Sequence, residues 1–140
     1  MPNSTRPLVL VVDDDADTRE LYRLALDMGG YRALDAASIA DAVRLSRPEP
    51  PAVAVGDWRL PDGDGFALAN ALVDVSHKTL LLAVTGVTLS PSEVDNARGL
   101  GFQRVMLKPV LPDDLVRTVA EVLDSAATSG HGVGLSGARN

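Results

Sequence analysis

The feature that most constrains this chain is a regular alternation of short apolar runs with segments of helical periodicity. The runs are LVLVV (8–12), YRALDA (31–36), AVAVG (52–56), TLLLAV (79–84) and RVML (104–107). In the first, third and fourth the apolar residues are continuous rather than alternating, which predicts strands buried on both faces, as in a parallel sheet covered by helices. Between and after the runs lie helical segments at about 16–28, 39–47, 65–74, 91–98 and 113–124. Several carry their own boundaries. Gly29-Gly30 closes the first, Ser38 caps the second before Pro48 stops it, and SPSE (90–93) offers a serine cap, a first-turn proline and a glutamate at the capping-box position. Leu115, Val116, Val119, Val122 and Leu123 give the last helix one apolar face. The pattern is (βα)₅ over residues 8–124, flanked by a disordered 1–7 and a flexible Gly/Ser-rich tail at 125–140.

The 140 residues suit one domain, and 46% apolar with 23% charged residues sets aside whole-chain disorder. A net charge of −6 without a basic run is wrong for a nucleic-acid binder. The absence of cysteine removes disulfides and thiolate metal sites. No apolar run approaches the ~18 residues of a membrane span, and MPNSTRP is no signal sequence, so the expected location is cytoplasmic. Gly132, Gly134 and Gly137 satisfy G-x-G-x-x-G, but no strand precedes them, so they predict no dinucleotide site.

Ligands of a parallel α/β sheet sit at the carboxyl ends of the strands. The first strand here runs into Asp13, Asp14 and Asp15, the third into Asp57, the fourth into Thr85, and the fifth into Lys108. If the first and third strands are neighbours, Asp13, Asp14 and Asp57 converge, and their repulsion calls for a proton or a cation. Mg²⁺, held by one or two carboxylates with water and phosphate, suits so sparse an oxygen cluster. Asp15 and Asp17 instead have the position of helix-capping and first-turn acids. An EF-hand fails at Thr18, where glycine is needed, and at Leu24, where a glutamate is needed. A carboxylate beside a divalent cation can attack phosphorus, and such transfers need a cationic donor opposite the metal. Lys108 is that donor, and Thr85 adds a hydroxyl.

These residues resemble the receiver domain of bacterial response regulators. The acidic pair after VLVV, the stretch DWRLPDGDG (57–65), Thr85-Gly86 and Lys108-Pro109 match in order across about residues 8–124. The resemblance implies a flavodoxin-like fold with strand order 2-1-3-4-5. It implies that Asp57 accepts a phosphoryl group from a histidine kinase or histidine phosphotransfer protein, the chain catalysing its own transfer and its own hydrolysis. It further implies that Asp14, Asp57 and the Arg59 carbonyl bind Mg²⁺, with Asp13 acting through water, and that Thr85 and Lys108 contact the phosphoryl group. Phosphorylation would then switch contacts with a downstream protein or a second copy in a homodimer. No output domain is expected in this chain, which fits a stand-alone regulator or a receiver excised from a larger protein. Val105 stands where the family more often has an aromatic switch residue. Two alternatives stay open: a pseudo-receiver that binds without phosphotransfer, and a Mg²⁺-dependent phosphohydrolase with an aspartyl nucleophile. The second lacks the usual acid two residues past the nucleophile, where Arg59 stands. Asp62 and Asp64 read as turn and cap residues.

Overall fold

The computed structural model describes residues 6–136, with side chains described through residue 128. Strands β1 (Leu8–Val12), β2 (Arg32–Ala36), β3 (Val53–Asp57), β6 (Leu80–Thr85) and β7 (Phe102–Leu107) form one parallel sheet in the order β2-β1-β3-β6-β7. Between β3 and β6, β4 (Arg59–Leu60) and β5 (Gly63–Asp64) pair antiparallel across Pro61-Asp62. The helices are α1 (Ala16–Met28), α2 (Ile39–Ser46), α3 (Gly65–Val75), α4 (Pro91–Gly99) and α5 (Pro112–Ser136). This is the flavodoxin-like order 2-1-3-4-5 that the family resemblance implies.

The continuous apolar runs are buried on both faces because the sheet has a hydrophobic cluster on each side. Val9, Val11, Val53, Val55, Leu82 and Val84 pack with Tyr22 and Leu26 of α1 and Leu115, Val119 and Val122 of α5. Leu10, Val12, Ala54, Leu81 and Ala83 point the other way, into a cluster with Ile39 and Ala42 of α2, Leu68 and Leu72 of α3, and Ala97 of α4. The two-residue side-chain period of a strand divides each run between the two layers. The edge strands β2 and β7 are only partly buried, which is why their sequences mix polar and apolar residues.

Local signals set the helix ends. The Asp15 carboxylate accepts the Thr18 amide at α1, Ser38 accepts the Asp41 amide at α2, Asp64 accepts the Ala67 amide at α3, and Ser90 with Glu93 closes a full capping box at α4. Asp62 has a larger role than a turn residue. Its carboxylate accepts the Ile39 amide at 2.9 Å and the Ala40 amide at 3.0 Å, so it caps α2 from 22 or more positions away and ties the β4–β5 turn to that helix. Those amides hold its carboxyl below the usual carboxylate range. A lowered folded-state pKa gives stability that is complete above the unfolded pKa and lost as pH falls through the folded one. Asp62→Ala is therefore expected to cost about 1 kcal/mol at neutral pH, with the gap to the native protein closing as the medium becomes acidic. Thermal melts of both proteins across that range check it.

Three boundaries differ from the sequence expectation. Strand β7 begins at Phe102 rather than Arg104, because Leu81 pairs with Phe102 and Leu82 with Arg104, leaving Gln103 in a register shift. Arg6 and Pro7, counted with the N-terminal segment, make defined contacts: Arg6 donates to the carbonyls of Asp27, Gly30 and Tyr31, and the Pro7 carbonyl accepts the Arg32 amide. Helix α5 continues past residue 124 to Ser136. Ala126 and Ala127 favour helix strongly, and extending an existing helix avoids the nucleation cost, so a Gly/Ser-rich composition did not end it. Residues 1–5 and 137–140 of the two expected flanking segments lie outside the described residues.

Candidate phosphoacceptor site

The carboxyl ends of β1, β3, β6 and β7 meet at one edge of the sheet, since β1 and β3 pair directly, as do β3 and β6, and β6 and β7. One carboxylate oxygen from each of Asp13, Asp14 and Asp57 lies within 4.8 Å of the others. Asp13 and Asp57 are buried and Asp14 is exposed. Three oxygen donors of full charge, one open to solvent, fit a hard divalent cation that keeps part of its water shell. Without a cation the cluster is electrostatically unfavourable. Burial pushes the Asp13 carboxyl above its ordinary pKa, and the neighbouring Asp57 adds to that, against the lowering effect of the Asp15 amide bonded to Asp13 Oδ1.

Lys108 offsets part of the charge. Its Nζ lies 2.9 Å from Asp57 Oδ2, an ion pair with the carboxylate side buried at 8% exposure. Burial by itself would lower the ammonium pKa, but the hydrogen bond and charge of Asp57, with Asp13 beyond, raise it. The Lys108 amide also donates to the Thr85 carbonyl at 2.7 Å, which fixes the β7 end against that of β6. Thr85 is buried, and its hydroxyl donates to the Val87 carbonyl at 2.9 Å while accepting the Val87 amide at 3.1 Å. Its oxygen is thus held within its own loop. Asp14, Asp57, Trp58, Arg59, Thr85, Gly86, Val87 and Lys108 together line a cleft of about 350 Å³. A Cβ on Gly86 would meet nothing within 4 Å, so the cleft is open beside the threonine.

All six residues singled out in the sequence therefore meet at one place: Asp13, Asp14 and Asp57 as the acidic cluster, Lys108 paired to Asp57, and Thr85 and Arg59 in the cleft wall. Two neighbours make contacts that sequence reasoning did not assign to them. Arg19 of α1 donates to the Asp13 carbonyl at 2.9 Å and to Asp35 of β2 at 3.0 Å, bracing the β1–α1 loop. An arginine in the second turn of a helix gives no sign of such a contact. Trp58 is a core residue at 6% exposure, its ring edge-on to Phe66 at 4.9 Å and tilted against Phe102 at 5.7 Å. Gly65 is required by that packing, because a Cβ there would lie 2.2 Å from the indole ring.

The chain is thus an open parallel α/β domain of the flavodoxin-like class, with an acidic trio and a paired lysine at its strand ends. The model of the response regulator receiver domain matches residues 9–120, and the chain belongs to that family, a module of two-component signalling. It is 35% identical over 81% of its length, and 87% of the relative's, to an uncharacterised 14.6 kDa protein of Leptolyngbya boryana. It is 32% identical to the phosphate regulon transcriptional regulatory protein PhoB of Pseudomonas aeruginosa, matching 82% of this chain but 51% of PhoB. The chain thus spans about half the length of its PhoB relatives. Among solved structures, a CheY-like response regulator receiver domain protein from Methanospirillum hungatei superposes with a TM-score of 0.81 at 26% identity, covering 89% of this chain and 99% of the other. No helix among the described residues is long and apolar enough to cross a membrane.

Proposed function

We propose that this domain accepts a phosphoryl group on Asp57 from a phosphohistidine donor, in a Mg²⁺-dependent transfer, and that the modified form switches a protein contact. The observation that carries this is the joint placement of a buried carboxylate, two further carboxylates within 4.8 Å and an ammonium at 2.9 Å on one open cleft. Asp13, Asp14 and Asp57 would hold Mg²⁺, with the Arg59 carbonyl completing the protein ligands. A cation held by these residues would supply neutralisation of the charge on the phosphoryl oxygens.

The chain's own residues account for the rest of the step. An Asp57 oxygen forms the new bond to phosphorus as the phosphorus–nitrogen bond of the donor breaks, and the electron pair leaves on the imidazole. Lys108, already at the carboxylate, is placed to follow the charge as it moves onto the phosphoryl oxygens. The Thr85 hydroxyl must exchange its bond to the Val87 carbonyl for one to a phosphoryl oxygen, which makes the 85–87 loop the first element to respond. A protein donor is supported by α1, which begins beside the acidic cluster and leaves Leu21, Leu24 and Met28 exposed at 51%, 52% and 87% on one helical stripe.

The test uses the single tryptophan. Titrating Mg²⁺ and then beryllofluoride is expected to change Trp58 fluorescence in two steps, and phosphoramidate with Mg²⁺ is expected to add one phosphoryl group, seen by intact mass, with none added when EDTA is present from the start. A protein that acquires no phosphoryl group, or acquires it in EDTA, would overturn the proposal.

A further inference from the structure

Tyr22, the only aromatic residue of α1, is 6% exposed and belongs to the apolar cluster between the sheet, α1 and α5. A phenylalanine would fill that place as well. A buried phenol has in addition a hydroxyl that needs a partner. Here the partner lies neither in α1 nor in the sheet: the hydroxyl donates to the Val110 carbonyl at 2.7 Å, 88 positions along the chain. Val110 belongs to the connection from β7 to α5, which runs from Lys108 to Leu111 and so begins with the ammonium of the cleft. Lys108 and Pro109 are exposed, and Pro109 has no amide proton to donate. The main chain of the connection is anchored by the Lys108 amide on the Thr85 carbonyl, by the Leu115 amide on the Leu111 carbonyl, and between them by Tyr22 on Val110. Of these only the last reaches α1.

Helix α1 follows directly on Asp13, Asp14 and Asp15. One hydrogen bond therefore joins the element that leaves two of the carboxylates to the segment that carries the lysine. Thr18, Tyr22, Lys108, Pro109 and Val110 line a cavity of about 400 Å³, so close packing does not hold the segment on this side. Burial, with the charge of Asp13, pushes the phenol above its ordinary pKa, so the hydroxyl remains a donor at neutral pH.

We propose that Tyr22 is a positioning residue for Lys108: its bond to Val110 fixes the connection from which the lysine reaches Asp57, and so sets where the ammonium stands during phosphotransfer. A lysine is a point charge on a flexible four-carbon stem and is not oriented by its own geometry. Its pair with Asp57 at 2.9 Å orients it before transfer, but a phosphoryl group on that carboxylate disrupts the pair. The anchor at Val110 lies outside the reacting groups and persists through the step. The role rests on Asp57 being the phosphoacceptor. Tyr22 makes no hydrogen bond to a group of the cleft, so its effect passes through Lys108.

Tyr22→Phe keeps the ring and removes the donor, and the amide spectrum verifies its fold. At saturating Mg²⁺, transfer from phosphoramidate, followed by Trp58 fluorescence, is expected to slow about ten-fold, between the native rate and that of Lys108→Ala. In the Lys108→Ala background the same substitution should change the rate by less than about two-fold, because no ammonium remains to be placed. Mg²⁺ affinity, measured with no phosphodonor present, should rise about two-fold, since a loosened Lys108 competes less for Asp57. A tyrosine with a purely structural role would slow transfer equally in both backgrounds. That result, a native rate in Tyr22→Phe, or an unchanged Mg²⁺ affinity would each overturn the inference while leaving Asp57 as the phosphoacceptor. A native protein that takes no phosphoryl group would overturn the phosphotransfer itself, and the positioning role with it.

Discussion

Asp57→Asn is expected to abolish stable phosphorylation by phosphoramidate and by a phosphohistidine donor. The amide is isosteric with the carboxylate but has no oxygen nucleophile of comparable strength. The same substitution should stabilise the metal-free protein. Three carboxylates and one ammonium meet at this edge, and the variant removes one negative charge while leaving Lys108 free to turn toward Asp13. Metal linkage should move the opposite way. At Mg²⁺ a hundred times its Kd, a one-site protein gains about 2.7 kcal/mol, and most of that gain should be missing in the variant. Thermal melts with and without Mg²⁺ give both quantities from one preparation. A variant that melts below the native protein in EDTA, or that retains the whole Mg²⁺ shift, would refute the charge balance described for this site.

Lys108→Ala has the second largest expected effect and a different signature. Removing a preorganised cation from a developing charge typically slows catalysis by about 10²–10³-fold, and transfer from phosphoramidate should fall by that order. Mg²⁺ affinity should rise, because the ammonium at 2.9 Å competes with the cation for Asp57. In EDTA the variant should melt below the native protein, since the carboxylates lose their one counter-charge, and Mg²⁺ should restore more stability than it gives the native chain. The two variants thus shift metal-free stability in opposite directions. A purely structural role for Lys108 would lower stability equally with and without metal. Stopped-flow fluorescence of Trp58 supplies the rate, and melts supply the rest.

Much of the fold was legible because its signals are local or periodic. Continuous apolarity marks the strands that are covered on both faces, and the caps at Asp15, Ser38, Asp64 and Ser90 act within three residues of themselves. The helix over 16–28 needed nothing more than its cap, its period and the Gly29-Gly30 stop. The failures fall where the deciding interaction is distant or absent. The strand start at Phe102 has no mark in the sequence because it comes from pairing with Leu81 of β6, across a register shift at Gln103. Arg6 is held by carbonyls more than 20 positions away. The end of α5 was misplaced because no strong stop follows residue 124, and composition is a weak substitute for one.

The candidate site divides in the same manner. Residue types at the strand ends name the ingredients: carboxylates after β1 and β3, a hydroxyl after β6, an ammonium after β7. What sequence cannot supply is the convergence, which depends on β1 and β3 being neighbours although α1, β2 and α2 separate them in the chain. Nor does it show that Lys108 has already paired with Asp57, that the Thr85 hydroxyl is engaged by Val87, or that Asp62 caps a helix it does not precede. The sequence by itself determined the strands, most helix ends and the identity of the reactive groups, because hydrophobic period and capping act over a few residues. Tertiary structure alone decided which of those groups share a charge balance, because electrostatic coupling depends on distance in space and carries no trace in the spacing along the chain.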